Sequence, residues 1–197
     1  MVLWNRADIG LLDMSSPKLP DLDQPCGKHF VYRDFVECSE TWRSLHIDNV
    51  PERLETYAAL RKLAILVLDP VSDYFGPITL TYGVATGRLV KEIRHDVSPR
   101  VDQHSSYERA ATGKTICSRG GAACDFAVAG VDSLTVAQWI VEHTKFDRLY
   151  YYRADRPIHV SAADDSKGQC VIVTRDEESR RVLPSVISTE KFLALQK

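Results

Sequence analysis

The sequence lacks several features that would define its class at once. Its five cysteines are odd in number and scattered, with no CxxC pair, so neither a disulfide framework nor a structural zinc knuckle is predicted. It has no apolar run of about eighteen residues, which excludes a membrane-spanning helix. No basic region followed by a long apolar one opens the chain, so no secretory signal is expected. The free thiols favour a reducing cytoplasm.

An excess of charge of one sign is also missing. Lys and Arg total 25 against 27 Asp and Glu, a formal net charge of −2, and both signs are mixed along the chain. No global field therefore predicts a nucleic-acid or membrane-surface partner. What is present is a composition of 44% hydrophobic and 26% charged residues over 197 positions, enough for one domain with a real core.

The order of predicted elements indicates an α+β fold. Apolar residues three and four apart predict a long helix over residues 52–75, with Asn49 as its cap and Pro70 as a break or kink. A second helix is predicted over 133–143, and shorter helical turns are predicted over 32–45, 87–94 and 105–111. Alternating or β-branched segments predict strands at 78–82, 122–128, 146–152, 158–162 and 170–174.

Helices come first and hairpin-linked strands later, which favours a mainly antiparallel sheet with helices on one side. Residues 1–28 carry proline and glycine with weak periodicity and predict an irregular N-terminal arm. The domain itself is predicted over residues 29–175, and residues 176–197 are predicted to form a C-terminal tail.

Two imidazoles and one carboxylate stand beside ordered segments. His104 follows a predicted turn, Asp125 lies in the small-residue strand at 122–128, and His159 lies in the strand at 158–162. An aspartate between apolar neighbours is costly to bury unpaired, so Asp125 needs a partner. A salt bridge with Arg119 or Arg148 is one alternative and a metal ion is the other. For the histidines, the alternatives are a surface loop at His104 and a structural hydrogen bond at His159.

Several motifs in this order resemble one family. They are His29-Phe30, Leu68-Asp69-Pro70-Val71, Phe75-Gly76-Pro77-Ile78, Gly121-Ala122-Ala123-Cys124-Asp125-Phe126 and Ile158-His159-Val160-Ser161. Together they resemble the zinc D-alanyl-D-alanine carboxypeptidases of bacteria and phages, which share a fold with the hedgehog signalling domain. The resemblance covers residues 28–162. It implies a zinc site made by a His, an Asp and a later His, of which Asp125 and His159 match the last two.

The first zinc ligand departs from the family pattern, Ser-x-His-x-x-Gly-x-Ala-x-Asp. Gly121, Ala123 and Asp125 match its end, but the histidine place falls on Ser118. Either residues 105–120 are an insertion and His104 is the ligand, or Ser118 has replaced the ligand. Cys117 is a further possible thiolate ligand, although buried inert thiols are commoner. The first interpretation requires His104 and Asp125 to meet in space.

The resemblance implies hydrolysis of an amide bond in a short peptide, including peptides with D-residues, by metal-activated water. A carboxylate base must then lie within about 3 Å of that water. Asp155 is the nearest carboxylate before His159, and Glu108 is its rival.

Substrate binding also departs from the family, whose Tyr-Arg pair holds a peptide carboxylate. Here Tyr82 precedes Gly83, so Tyr82 with Arg88 or Arg119 would bind substrate. Two other functions stay open: a metal-bound module without catalysis, as in the hedgehog domain, and a cytoplasmic hydrolase of another substrate. A phage-encoded lysin would also lack a signal.

Overall fold

The computed structural model describes residues 18–93, 102–175 and 182–196. Within these ranges the helices are α1 (Tyr32–Val36), α2 (Glu40–Leu45), α3 (Leu54–Leu63), α4 (Asp69–Phe75), α5 (Gly87–Glu92), α6 (Ser133–His143) and α7 (Thr189–Leu193). A π-helical turn (Ala64–Leu68) joins α3 to α4, and a 3-10 turn covers Gln103–Ser105. The strands are β1 (Ile78–Tyr82), β2 (Ala122–Val128), β3 (Arg148–Tyr151), β4 (Ile158–Ala162), β5 (Gln169–Arg175) and β6 (Val182–Ile187).

The strands form one six-stranded sheet in the order β1-β2-β4-β3-β5-β6. Every neighbouring pair is antiparallel except β3 and β5. β4 runs antiparallel to β3 and returns the chain to the end of the sheet at which β3 begins, so β5 runs parallel to β3. The predicted α+β class with a mainly antiparallel sheet is confirmed.

Alternation along the strands gives the sheet two different faces. On one face Cys124 pairs with Val160, which also pairs with Leu149, and Phe126 pairs with Leu80 and Ile158. These side chains are buried, and they join apolar residues of α3, α4 and α6 in one core cluster. The opposite parity carries Asp125 and His159, so the candidate site lies on the other face from this core.

The long helix predicted over 52–75 forms, but Pro70 does not break it. Instead the backbone N–H of Asp69 donates to the carbonyl of Ala64, five residues earlier, within the π-helical turn. A proline has no N–H and its ring crowds the carbonyl of residue i−4, so a wider turn just before it accommodates both effects. Val67 and Leu68 of this turn stay in the core.

Asn49 is not the helix cap that was predicted. It is buried, its amide donates to the carbonyls of Val36 (3.0 Å) and Val84 (2.8 Å), and its oxygen accepts from the N–H of Thr86 (2.9 Å). The side chain therefore connects the end of α1 to the segment between β1 and α5, and α3 starts only at Leu54.

The chain after residue 175 also differs from the predicted tail. β6 pairs with β5 over its whole length, and Phe192 of α7 is fully buried in the core cluster. At the other end, Cys26 is fully buried and Pro25 bridges to Val31, so residues 18–28 pack on the domain. Residues 1–17 of the predicted arm lie outside the described residues. Within the described ranges, no helix is both long and apolar enough to cross a bilayer.

Candidate metal centre

Four side chains stand in one row across the site face of the sheet. Tyr82 of β1 lies opposite Asp125 of β2, Asp125 opposite His159 of β4, and His159 opposite Tyr150 of β3. The register of β1 shifts between Leu80 and Tyr82, as in a β-bulge. In regular pairing Thr81 would face Asp125, so the bulge is what brings the tyrosine into the row.

His104 reaches this row from the 3-10 turn that lies over β2. The carboxylate of Asp102 accepts from the N–H of His104 at 3.0 Å, and the carbonyl of His104 accepts from the N–H of Ala85 at 2.8 Å. The Gln103 amide donates to the carbonyl of Gly120 (2.9 Å). The Ser106 hydroxyl donates to the carbonyl of Gly121 (2.7 Å). The two ends of the intervening segment are therefore fastened together beside β2.

The intervening segment itself is a hairpin rather than the predicted helical turns. Arg109 bridges to Thr115, the N–H of Ala110 donates to the carbonyl of Lys114, and Gly113 turns the chain with a φ of +78°. The excursion thus has backbone hydrogen bonds of its own. A closed excursion of this kind leaves His104 free to stand beside Asp125, as the insertion interpretation requires.

The three candidate ligand atoms form a compact triangle. His104 Nε2 lies 3.2 Å from Asp125 Oδ1 and 3.1 Å from His159 Nδ1, and His159 Nδ1 lies 2.9 Å from Asp125 Oδ1. The His104 side chain is 3% exposed, against 27% for Asp125 and 12% for His159. The triangle is therefore shielded from solvent at His104 and partly exposed to solvent at Asp125 and His159.

The tautomer of His104 is set by the end of β1. Its Nδ1 lies 2.7 Å from the carbonyl oxygen of Gly83, which can only accept, so Nδ1–H is the donor. In neutral His104 the Nε2 lone pair is consequently directed at Asp125 and His159. This is the outer-shell hydrogen bond that metal-binding histidines ordinarily make.

Gly83 also explains why no arginine follows Tyr82. A Cβ at this position would lie 2.1 Å from the carbonyl oxygen of Phe35. The N–H of Val84 donates to the same oxygen at 2.9 Å, which keeps the two segments together. An arginine side chain therefore has no room at residue 83. Sequence reasoning noted the glycine as a departure, but the cause of that departure lies in a distant segment.

Electrostatics bind the metal-free triangle together. Burial alone would lower the pKa of His104, but the carboxylates of Asp102 and Asp125 and the hydrogen bond to Gly83 outweigh it and raise that pKa to about 9. Burial alone would raise the pKa of Asp125, but His104 and His159 hold it well below the usual range. The Asp125 carboxylate therefore stays ionised and can accept hydrogen bonds from both rings.

The same three atoms could hold a metal ion. Ligand atoms at 2.0–2.1 Å from a tetrahedral ion stand about 3.3 Å apart, and the observed separations of 2.9 to 3.2 Å are close to that value. Two imidazole nitrogens and one carboxylate oxygen leave a fourth position for water or substrate. The Tyr82 ring, whose centroid is 4.3 Å from that of His104, and the Tyr150 ring, 4.9 Å from His159, flank the triangle.

The alternatives for these residues have different outcomes. Asp125 pairs with the two histidines, and Arg148 instead lies 3.7 Å from Asp147. Arg119 is exposed, and its N–H donates to Cys117 Sγ at 3.4 Å. His104 is buried rather than on a surface loop. Neither Ser118 nor Cys117 belongs to the described group that could hold a metal.

The remaining predicted residues do not join the triangle. Asp155 is exposed in the turn between β3 and β4 and pairs with Arg153 at 3.2 Å. Glu108 is 3% exposed and accepts from the Thr56 hydroxyl (2.7 Å) and from the N–H of Glu52 (3.1 Å) just before α3. Arg88 of α5 pairs with Asp48. Of the predicted substrate-binding residues, Tyr82 is the one in the row with Asp125.

The fold and site together define an α+β protein with a candidate centre for one cation. Compared with known proteins, the chain matches no family model, no curated protein and no solved structure at a significant level.

Proposed function

We propose that this chain is a zinc-dependent hydrolase that cleaves an amide bond in a short peptide. The observation that carries the proposal is the convergence of His104 Nε2, Asp125 Oδ1 and His159 Nδ1 within 3.2 Å of one another. A donor set of two imidazoles and a carboxylate is typical of catalytic zinc sites with an open position. His104, Asp125 and His159 would hold the zinc ion, which would supply Lewis-acid chemistry for polarising a substrate carbonyl and activating water.

The chain's own residues have separable tasks in this proposal. Gly83 fixes the His104 tautomer through the 2.7 Å hydrogen bond, so that the ring presents a lone pair to the ion. Tyr82 and Tyr150 border the open side and would orient the substrate. The Tyr82 hydroxyl is buried and has no hydrogen-bond partner among the described residues. A buried hydroxyl without a partner is costly, and a substrate or solvent oxygen in the site would satisfy it.

The proposed relationship to the D-alanyl-D-alanine carboxypeptidases rests on the resemblance of the sequence motifs. The lack of space for a side chain at residue 83 narrows the class of substrate. Because the family's arginine has no room there, a free peptide carboxylate would lack its usual partner. A peptide bond away from a chain terminus, or an amide outside peptidoglycan, is consequently the better substrate class.

A second candidate function is a metal-binding module without hydrolysis. It is favoured by the positions of the two proposed bases, since the Glu108 oxygens are engaged before α3 and Asp155 is exposed beside Arg153. Asp155 remains the proposed base because its turn leads into the strand that carries His159.

Metal binding and peptide cleavage test both candidates. Chelator-stripped protein is titrated with zinc by calorimetry, and zinc-loaded protein is incubated with L- and D-alanine-containing peptides with free and amidated carboxyl ends. We expect one zinc per chain, loss of binding in Asp125→Ala and His159→Ala, and unchanged binding in the control His29→Ala, whose exposed ring pairs with Asp73.

Cleavage of the amidated peptides, reduced in Asp155→Ala, supports the hydrolase. One zinc per chain without any cleavage supports the binding module. A wild-type chain that binds no zinc refutes both.

A further inference from the structure

The row of residues that carries the candidate metal centre continues beyond Tyr150. Tyr150 of β3 lies opposite Val171 of β5, and Val171 lies opposite Val186 of β6. Partners that face each other in neighbouring strands point to the same side of the sheet. Cys170, the neighbour of Val171, belongs to the core cluster, so Val171 and Val186 lie on the site face. The row therefore leads from the metal ligands to the edge of the sheet.

The end of this row is an apolar strip of four residues: Val171, Val173, Pro184 and Val186. Val173 follows Val171 by two residues in β5 and lies opposite Pro184, so it points to the same face. Val171 is buried and Val173 half-buried, whereas Pro184 is exposed and Val186 is 63% exposed. The strip thus has a buried floor and an exposed outer side. Exposed apolar surface of this kind beside a candidate site indicates contact with a ligand or a partner.

Pro184 favours a ligand that lies on the face of the strip over a second chain that pairs along its edge. β6 is the last strand in the sheet order, and an edge strand can pair with a strand of another chain. Pro184 lies within β6 and has no N–H to donate to such a partner. Proline in an edge strand is one of the means by which proteins prevent edge-to-edge pairing. The exposed apolar side chains are therefore assigned to contact across the face.

The distance from the metal ligands to the strip matches a whole number of peptide residues. His159 of β4 and Val186 of β6 are separated by two intervening strands, which puts them about 14 Å apart across the sheet. An extended peptide advances about 3.4 Å per residue, so about four residues cover this distance. Side chains four residues apart in an extended peptide point to the same side. A peptide that directs one side chain toward the metal ligands therefore directs its fourth neighbour toward the strip.

We propose that the apolar strip binds an aliphatic side chain about four residues from the scissile amide of a peptide substrate. The position of the scissile bond rests on the proposed hydrolase function, whereas the contact between the side chain and the strip requires no metal. Val186 and Val173 are then specificity-determining residues. An extended peptide with one leucine, isoleucine or valine at that spacing is the substrate class, and a dipeptide is too short to reach the strip.

The contact is tested first in the metal-free full-length chain, in excess EDTA, by NMR of labelled valine and leucine methyl groups. The probe is an acetylated and amidated peptide with three Ser-Ala pairs on each side of one central leucine, so that either chain direction can reach the metal ligands. The comparison peptide has serine in place of the leucine. We expect saturable shifts of the Val186 and Val173 methyl groups with a Kd of about 1 mM. The serine peptide should bind at least about 3-fold more weakly, because it removes less apolar surface from water.

Two matched variants locate the contact. Val186→Thr keeps the branched shape of an exposed side chain, so it should fold normally and weaken the leucine peptide by about 3-fold. Leu183 is also apolar and exposed in β6, but alternation places it on the opposite face, so Leu183→Thr should leave the affinity unchanged. Equal affinity for the two peptides, no shift at Val186, or wild-type affinity in folded Val186→Thr protein would overturn the proposal. A dimer in size-exclusion chromatography that both variants dissociate would assign the strip to a second copy and would also overturn it.

Cleavage by the zinc-loaded chain separates this proposal from the proposed hydrolase function. Mass spectrometry of the products should place the broken bond about four residues from the leucine. Cleavage without any fixed spacing from the leucine would refute the subsite and leave the hydrolase standing. Leucine-dependent shifts at Val186 without cleavage of any peptide would support the contact and count against the hydrolase.

Discussion

Replacing Gly83 by alanine tests how the end of β1 controls the metal centre. The added Cβ would lie 2.1 Å from the Phe35 oxygen and 2.8 Å from its carbonyl carbon, whereas ordinary contact begins at 3.4 Å. The two segments must therefore separate by about 1 Å, because both contacts are with backbone. The Gly83 carbonyl moves with them, and its 2.7 Å hydrogen bond to His104 is lengthened or lost.

The expected effect on zinc follows from that hydrogen bond. Loss of an outer-shell partner to a metal-binding histidine typically costs 10- to 100-fold in affinity, which is about 1.4–2.7 kcal/mol. Overpacking at residue 83 should also lower the free energy of unfolding by about 1–3 kcal/mol. Zinc affinity is measured by competition with a chromophoric chelator at a temperature where circular dichroism shows the variant folded, and stability is measured by urea denaturation.

Gly130→Ala is the matched control. Gly130 has a positive φ of +75°, which Gly83 lacks, and nothing lies within 4 Å of its added Cβ, so alanine there adds backbone strain without a steric clash. It should cost about 1 kcal/mol of stability and leave zinc affinity unchanged. Wild-type zinc affinity in folded Gly83→Ala protein would refute the idea that Gly83 orients His104.

Three further measurements address the site and its supports. Because the pKa of His104 is raised from 6.5 to about 9 in the folded chain, the stability it contributes to metal-free protein, on the order of 3 kcal/mol, is present below pH 6.5 and lost as the pH rises through 9. Urea titrations at several pH values measure this decline in stability, and a stability that does not fall over that interval would contradict the reasoning. Zinc affinity should rise over the same pH interval, because zinc displaces the proton from His104. Glu108→Ala should destabilise the chain by about 1–3 kcal/mol, because it leaves the buried Thr56 hydroxyl and the N–H of Glu52 without their acceptor. Glu108→Gln should cost less, and equal chemical-denaturation midpoints for the two variants would count against this. Tyr82→Phe should leave stability and zinc affinity unchanged but lower kcat/KM for peptides, and an unchanged kcat/KM would remove Tyr82 from substrate binding.

Much of the fold follows from local patterns in the sequence. β1, β2 and β4 could be predicted because β-branched or small apolar residues mark them. α6 could be predicted because Asp132 is a typical helix cap, and its carboxylate does accept from the N–H of Thr135 at 3.0 Å. β6 could not be predicted: five of its six residues are exposed, so no alternation marks it, and its place depends on pairing with β5.

The site divides in the same way. Asp125 and His159 could be nominated because each sits in a recognisable strand, and those strands pair directly. The approach of His104 to them depends on the hairpin between residues 105 and 120 and on hydrogen bonds from Gln103 and Ser106 to distant carbonyls. The role of Gly83 depends on Phe35, far away in sequence. Such contacts between remote segments leave no periodic signal.

Because the register of β1 shifts, a one-residue deletion in β1 should affect the site differently from one in β2 or β4. Thr81 is the supernumerary residue of that strand, since Leu80 faces Phe126 and Tyr82 faces Asp125. Deleting Thr81 would yield a regular ladder in which the phenol ring keeps its neighbour and Gly83 still follows it. Deleting a residue from the middle of β2 or β4 would instead turn the aspartate or the imidazole toward the core, so this one position offers a length change that the centre should tolerate.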